Sequence, residues 1–192
     1  MDTVSPPTPW SYVLQVPHHP LASRVARHTL RTVLGGHGMA RLLDTAELLT
    51  SELVTNAYRY SDGPATLRLR HMDGGRLRIS VWDCNPEIPA PFDRPPGTLP
   101  PHAPPWTDGG RGLRIVTHIA VNWGGYPLGD DLFGRSGKLL WCELDATPGR
   151  LPQEGGSVGQ RHGEIHLDEL SRVPELRDTQ ERAGRGERRT ER

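Results

Sequence analysis

Two short runs, Thr66-Leu67-Arg68-Leu69-Arg70 and Arg76-Leu77-Arg78-Ile79-Ser80-Val81, alternate aliphatic residues with arginine. Successive side chains of a β-strand point to opposite faces of the sheet, so this pattern sends aliphatic groups one way and guanidinium groups the other. A guanidinium stays charged at any physiological pH and does not enter an apolar layer alone, so one face of this sheet should meet water. Asp73-Gly74-Gly75 between the runs has the composition of a hairpin turn. The expected class is therefore α/β, a two-layer sandwich with its helices on a single face. A doubly wound sheet covered on both sides would need continuous apolar strands, which these are not.

The helical layer is legible just upstream. Leu42, Ala46, Leu49, Leu53 and Ala57 recur at spacings of three and four and draw one apolar stripe down an α-helix that ends at Ser61-Asp62-Gly63-Pro64. Asp44 and Glu47 stand at capping-box spacing near its start. Glu52 and Asn56 are one turn apart, roughly 6 Å along the axis, on a face beside the stripe. A carboxylate there can take a proton or orient a nucleophile, and an amide oxygen can hold a hard cation such as Mg²⁺. Taken alone, the pair reads first as the solvated face of an ordinary amphipathic helix. An earlier helix is expected from Leu21 to about Leu34, with Ala22, Val25, Ala26, Thr29, Leu30 and Val33 inward and Gly35-Gly36-His37-Gly38 ending it.

Further strands are expected at Ser11–Val16, near 121–124 and at Leu139–Leu144. Between the hairpin and the last strands the chain changes character. Nine prolines fall between Pro86 and Pro105, which excludes helix and central strand and marks a long loop or lid over about 85–109. Gly109-Gly110-Arg111-Gly112 then opens a short helix from Leu113 to Ala120. Glycines at such a place either let the backbone approach an anion or serve as a flexible connection. The first nine residues and residues 146–192 are polar and proline- or charge-rich and are expected to be disordered, leaving one domain over 10–145.

Composition narrows the function classes. The formal charge is zero and the pI about 7.1, so there is no electrostatic case for nucleic acid or an anionic membrane. No run approaches a membrane span, and the start lacks the basic and apolar regions of a signal peptide. Cys84 and Cys142 have no Cys-x-x-Cys or Cys/His neighbours at zinc spacing, which fits a reduced, cytoplasmic protein. The nine histidines are scattered rather than clustered for a metal.

The order of pieces resembles the Bergerat-fold (GHKL) ATP-binding family, and within it the stand-alone anti-sigma factor serine kinases abundant in actinobacteria. Glu52-Leu53-Val54-Thr55-Asn56-Ala57 is similar to that group's N box, and Gly109-Gly110-Arg111-Gly112-Leu113-Arg114-Ile115-Val116 to its second glycine motif. The resemblance spans about 10–145 and implies a mixed, mostly antiparallel sheet with helices on one face. It implies ATP and Mg²⁺ as cofactors: Asn56 as metal ligand, Glu52 as the catalytic base, Asp83 as acceptor for the adenine amino group. Gly110, Arg111, Gly112 and Leu113 would form the phosphate-binding helix start.

The implied activity is serine/threonine phosphorylation of an anti-sigma-factor antagonist, with a sigma factor as a further protein partner and, as often in the family, a homodimer. Departures from the family pattern suggest an alternative, a non-catalytic nucleotide-gated module that captures its partner. Asp83 is followed by Cys84-Asn85-Pro86-Glu87 rather than by the glycines of an Asp-x-Gly-x-Gly box. Tyr60 stands where a histidine is common, and Leu139 follows Lys138 where a small hydroxyl residue often helps hold phosphate.

Overall fold

A computed structural model of the chain describes residues 9–93, 111–128 and 136–145. The expected terminal tails, most of the proline-rich lid and Gly110 lie outside the described residues, with only Pro9 of the first tail and 85–93 of the lid inside them. The strands β1 (Ser11–Val16), β2 (Ala65–Met72), β3 (Arg76–Asp83), β4 (Asn122–Leu128) and β5 (Gly137–Asp145) form one sheet in the order β1-β2-β3-β5-β4. Every pairing is antiparallel. The helices among the described residues are α1 (Ala22–Gly36), α2 (Leu43–Tyr60) and α3 (Arg111–Ile119).

The register explains the layering. Leu67, Leu69, Leu77, Ile79, Val81, Leu140, Cys142 and Leu144 are brought onto one face by the β2–β3 and β3–β5 pairings. They form a single core with Ala26 and Leu30 of α1, Leu49, Leu53 and Ala57 of α2, and Leu113 and Val116 of α3. Fully burying one such leucine or isoleucine contributes about 1.5–3 kcal/mol, so this layer dominates the stability. The segment after β3 joins it through Phe92, whose ring lies 5.2 Å from Trp123.

On the opposite face the arginines are less solvated than their alternation predicts. The β3–β5 register sets Glu143 directly across from Arg78. Arg78 donates to Glu143 Oε1 from Nε at 3.0 Å and from Nη2 at 2.7 Å, and Arg76 donates to Oε2 at 2.8 Å. The Arg78 guanidinium also stacks 4.3 Å from the centre of the Trp141 ring. Glu143 is buried under these contacts. Charge pairing across strands removes the cost of an isolated buried ion, which is why this face need not be wholly wet.

Three local expectations need correction. No side-chain cap forms at the start of α2, because a 3₁₀ turn at Ala40–Leu42 runs straight into the helix. Glu47 instead accepts from Arg31 at 2.7 and 2.8 Å, an exposed pair worth at most about 1 kcal/mol. Val25 is 47% exposed, because the buried stripe of α1 runs through Ala22, Ala26, Leu30, Val33 and Leu34 and passes beside it. The last strand begins at Gly137 rather than Leu139, which carries Lys138 into the sheet. The hairpin turn is as expected, with Gly74 and Gly75 both at φ 76. Gly74→Ala, with a Cβ in the left-handed region, should lower the unfolding free energy by about 1 kcal/mol in urea titrations without altering the circular dichroism spectrum.

Candidate functional site

The proposed chemistry-bearing residues come from α2, the end of β3 and the start of α3. Leu49, Leu53 and Ala57 hold α2 against the core, which turns Asn56 into the protein and leaves Glu52 half-buried one turn earlier. The Asn56 Oδ1 atom is fully buried and has no hydrogen-bond partner among the described residues. Leaving such an acceptor unsatisfied costs about 1–3 kcal/mol, so a native site of this kind usually awaits a donor, a water or a cation. An amide oxygen is a suitable ligand for a hard cation such as Mg²⁺, so this donor fits that metal.

Gly112 explains why α3 can sit where it does. A Cβ at this position would collide with the Glu52 carboxylate, so glycine is what lets that carboxylate lie against the first turn of α3. The amide groups of a helix's first turn lack intrahelical partners and favour negative charge, so the Glu52 carboxylate is electrostatically at home there. Arg111, the first residue of α3, is exposed, while Leu113 and Val116 anchor the helix below. Gly110, expected to share in anion binding, lies outside the described residues.

Asp83 ends β3 almost completely buried. Its Oδ1 accepts from the Asn85 N–H at 2.8 Å and from Lys138 Nζ at 2.9 Å, and Nζ also donates to the Asn85 carbonyl at 3.2 Å. Burial pushes the Asp83 carboxyl above its ordinary value, with the Lys138 ammonium and the Asn85 N–H pulling it down less strongly. The segment that follows is clamped to the end of α2. Asn85 Nδ2 donates to the Tyr60 carbonyl at 2.6 Å, and the Cys84 N–H donates to Ser61 Oγ at 3.2 Å. Gly63 has no room for a side chain, because a Cβ there would lie 2.7 Å from Cys84 Sγ.

The structure thus brings Glu52 to Gly112 and ties the strand-end aspartate to the helix that carries Asn56. No hydrogen bond joins Glu52, Asn56 and Asp83 to one another, so each keeps acceptor capacity for something else. Sequence reasoning missed Ser61 and Asn85 as positioning groups, and above all Lys138 as the partner of Asp83. A signal existed for Lys138, since it is the chain's one lysine. The β3–β5 register that sets it opposite Asp83 has no local signature.

Other chemistries find little support. Among the described residues no group of His, Cys, Asp and Glu could hold a metal ion, and no helix is long and apolar enough to cross a membrane. Neither cysteine is in a disulfide, and burial together with the Glu143 charge raises the Cys142 thiol far above its usual range, which leaves it unreactive. The family model for the histidine kinase-like ATPase domain matches residues 16–122, a span that contains Glu52, Asn56, Asp83 and the whole glycine-led start of α3. No curated protein matches the chain.

Proposed function

This chain belongs to the histidine kinase-like ATPase family, and from that premise we propose that it is a serine/threonine protein kinase that uses Mg·ATP to phosphorylate an anti-sigma-factor antagonist. The observation that carries the reading is the buried Asn56 Oδ1, an acceptor with no hydrogen-bond partner among the described residues. Bound Mg·ATP supplies the transferable phosphoryl group and the cation that offsets its charge. Asn56 would hold the metal, and Asp83 would accept from the base amino group. Arg111, with the backbone of Gly110, Gly112 and Leu113, would meet the phosphates at the start of α3. Glu52 is the residue left to take the proton from an attacking hydroxyl. Phosphoryl transfer needs mainly positioning and charge compensation, so this small set suffices.

Calorimetric titration of Mg·ATP into wild type and Asn56→Ala tests the reading. The variant should bind about ten- to a hundredfold more weakly, the usual worth of a lost contact to a charged group. Its unfolding free energy without nucleotide should not fall by more than about 1 kcal/mol, since Oδ1 makes no hydrogen bond among the described residues that the substitution could remove. Equal affinity in the two proteins would remove Asn56 from the site.

A second reading is favoured by Lys138, which already occupies one oxygen of Asp83. In it the domain is a nucleotide-gated capture module for a sigma factor or another regulator, and no phosphoryl group moves. Capture that responds to Mg·ATP and survives Glu52→Ala, with no phosphorylated partner formed, would select it. In both readings the protein acts in the cytoplasm on protein partners, with a homodimer as the family precedent.

A further inference from the structure

Asp83 and Lys138 are direct cross-strand neighbours on the helix side of β3 and β5, and their side chains are only 2% and 1% exposed. A lysine ammonium has three protons to donate, of which two go to Asp83 Oδ1 and the Asn85 carbonyl. The second carboxylate oxygen, Oδ2, accepts from none of the described residues. The pair therefore keeps one unused acceptor and one unused donor proton, whereas an unaccompanied carboxylate would have acceptors alone.

That difference bears on which base can be read. The edge of a 6-aminopurine offers a donor at the amino group and an acceptor at N1. The edge of a 6-oxopurine offers the reverse, an acceptor at O6 and a donor at N1. A carboxylate facing the 6-position with no donor beside it bonds an amino group there and repels a carbonyl oxygen, so in that register it favours adenine. Beside a lysine, each edge finds both of its partners: amino group to Asp83 and N1 to Lys138 in one case, N1–H to Asp83 and O6 to Lys138 in the other.

We propose that Lys138 is a second base-reading residue, which with Asp83 admits 6-oxopurine nucleotides to this site on nearly equal terms with ATP. The proposal rests on the reading above in which Asp83 faces the base.

The test is a comparison of Mg·ATP with Mg·ITP by calorimetry. Inosine differs from adenosine only in its 6-oxo group and N1 proton, so no 2-amino group confuses the result. Wild type should bind the two within about tenfold of each other. Lys138→Met should shift the ratio toward ATP by a further ten- to hundredfold, the worth of one charge-assisted bond exchanged for a repulsion. The inference is overturned if wild type binds ATP yet rejects ITP by more than about a hundredfold, or if the ratio is the same in a folded Lys138→Met. Should that variant not fold, the wild-type ratio alone decides. Absence of binding by either nucleotide would instead sink the nucleotide-site reading itself.

Discussion

Glu52→Gln should lower phosphoryl transfer to a cognate antagonist by about 10²–10⁴-fold while Mg·ATP affinity stays within about twofold of wild type. Glutamine keeps the size and polarity of the side chain, so the contact with the first turn of α3 is preserved and only the capacity to take a proton is lost. An effect confined to turnover is the mark of an interaction made in the transition state rather than in the bound ground state. Gly112→Ala supplies an independent route to the same atom. Its methyl group would meet the far end of the Glu52 side chain, which can swing away, so the fold should survive while the carboxylate is displaced. Transfer should fall in this variant too, by less than in Glu52→Gln, with the far-ultraviolet circular dichroism unchanged. If radiolabelled phosphate reaches the antagonist as fast with Glu52→Gln as with wild type, Glu52 is not the base and the kinase reading loses its central residue.

Lys138→Met should cost about 3–5 kcal/mol of stability at neutral pH, because it strands the Asp83 carboxylate in a buried site without its cation. The pH dependence identifies the cause. Burial already holds the Asp83 carboxyl above its ordinary value of 3.8, and removing Lys138 deletes the stronger of the pulls that oppose this. A carboxyl raised in the folded state contributes stability that is complete below its unfolded value and is lost as the pH climbs through its folded value. The deficit of the variant should therefore be smallest near pH 4 and widen toward pH 8, as read from urea midpoints at each pH. A deficit of the same size at every pH would assign the effect to packing rather than charge. Neutralising both partners, in Asp83→Asn with Lys138→Met, should return much of the lost stability.

Lys138 also bears on the balance between the two functional readings. With one oxygen of Asp83 already bonded within the protein, the base end of the proposed nucleotide site would have less acceptor capacity than a solitary aspartate offers. The proposed phosphate end would be less altered, since Asn56 Oδ1 is unsatisfied among the described residues and Glu52 stands against the start of α3. Metal and phosphate contacts are thus expected to carry more of the nucleotide affinity here than base contacts do.

What the sequence alone determined was whatever repeats over a few residues. Alternation in 66–81 located a hairpin with one aliphatic and one arginine-bearing face, and the three- and four-residue spacing of Leu42, Ala46, Leu49, Leu53 and Ala57 located α2. Because Glu52 and Asn56 lie on a single helix, their one-turn separation was legible with it. The ends of elements were less so: the start of α2 and the first residue of β5 depend on what packs beside them, not on their own composition. Only the tertiary structure decided that Gly112 meets Glu52, that Glu143 neutralises Arg76 and Arg78, and that Lys138 is paired with Asp83 from 55 positions away. Each of these depends on a register or a helix crossing between distant segments. Side-chain periodicity states which way a residue points from its own strand or helix, and carries no record of what another segment will place in front of it.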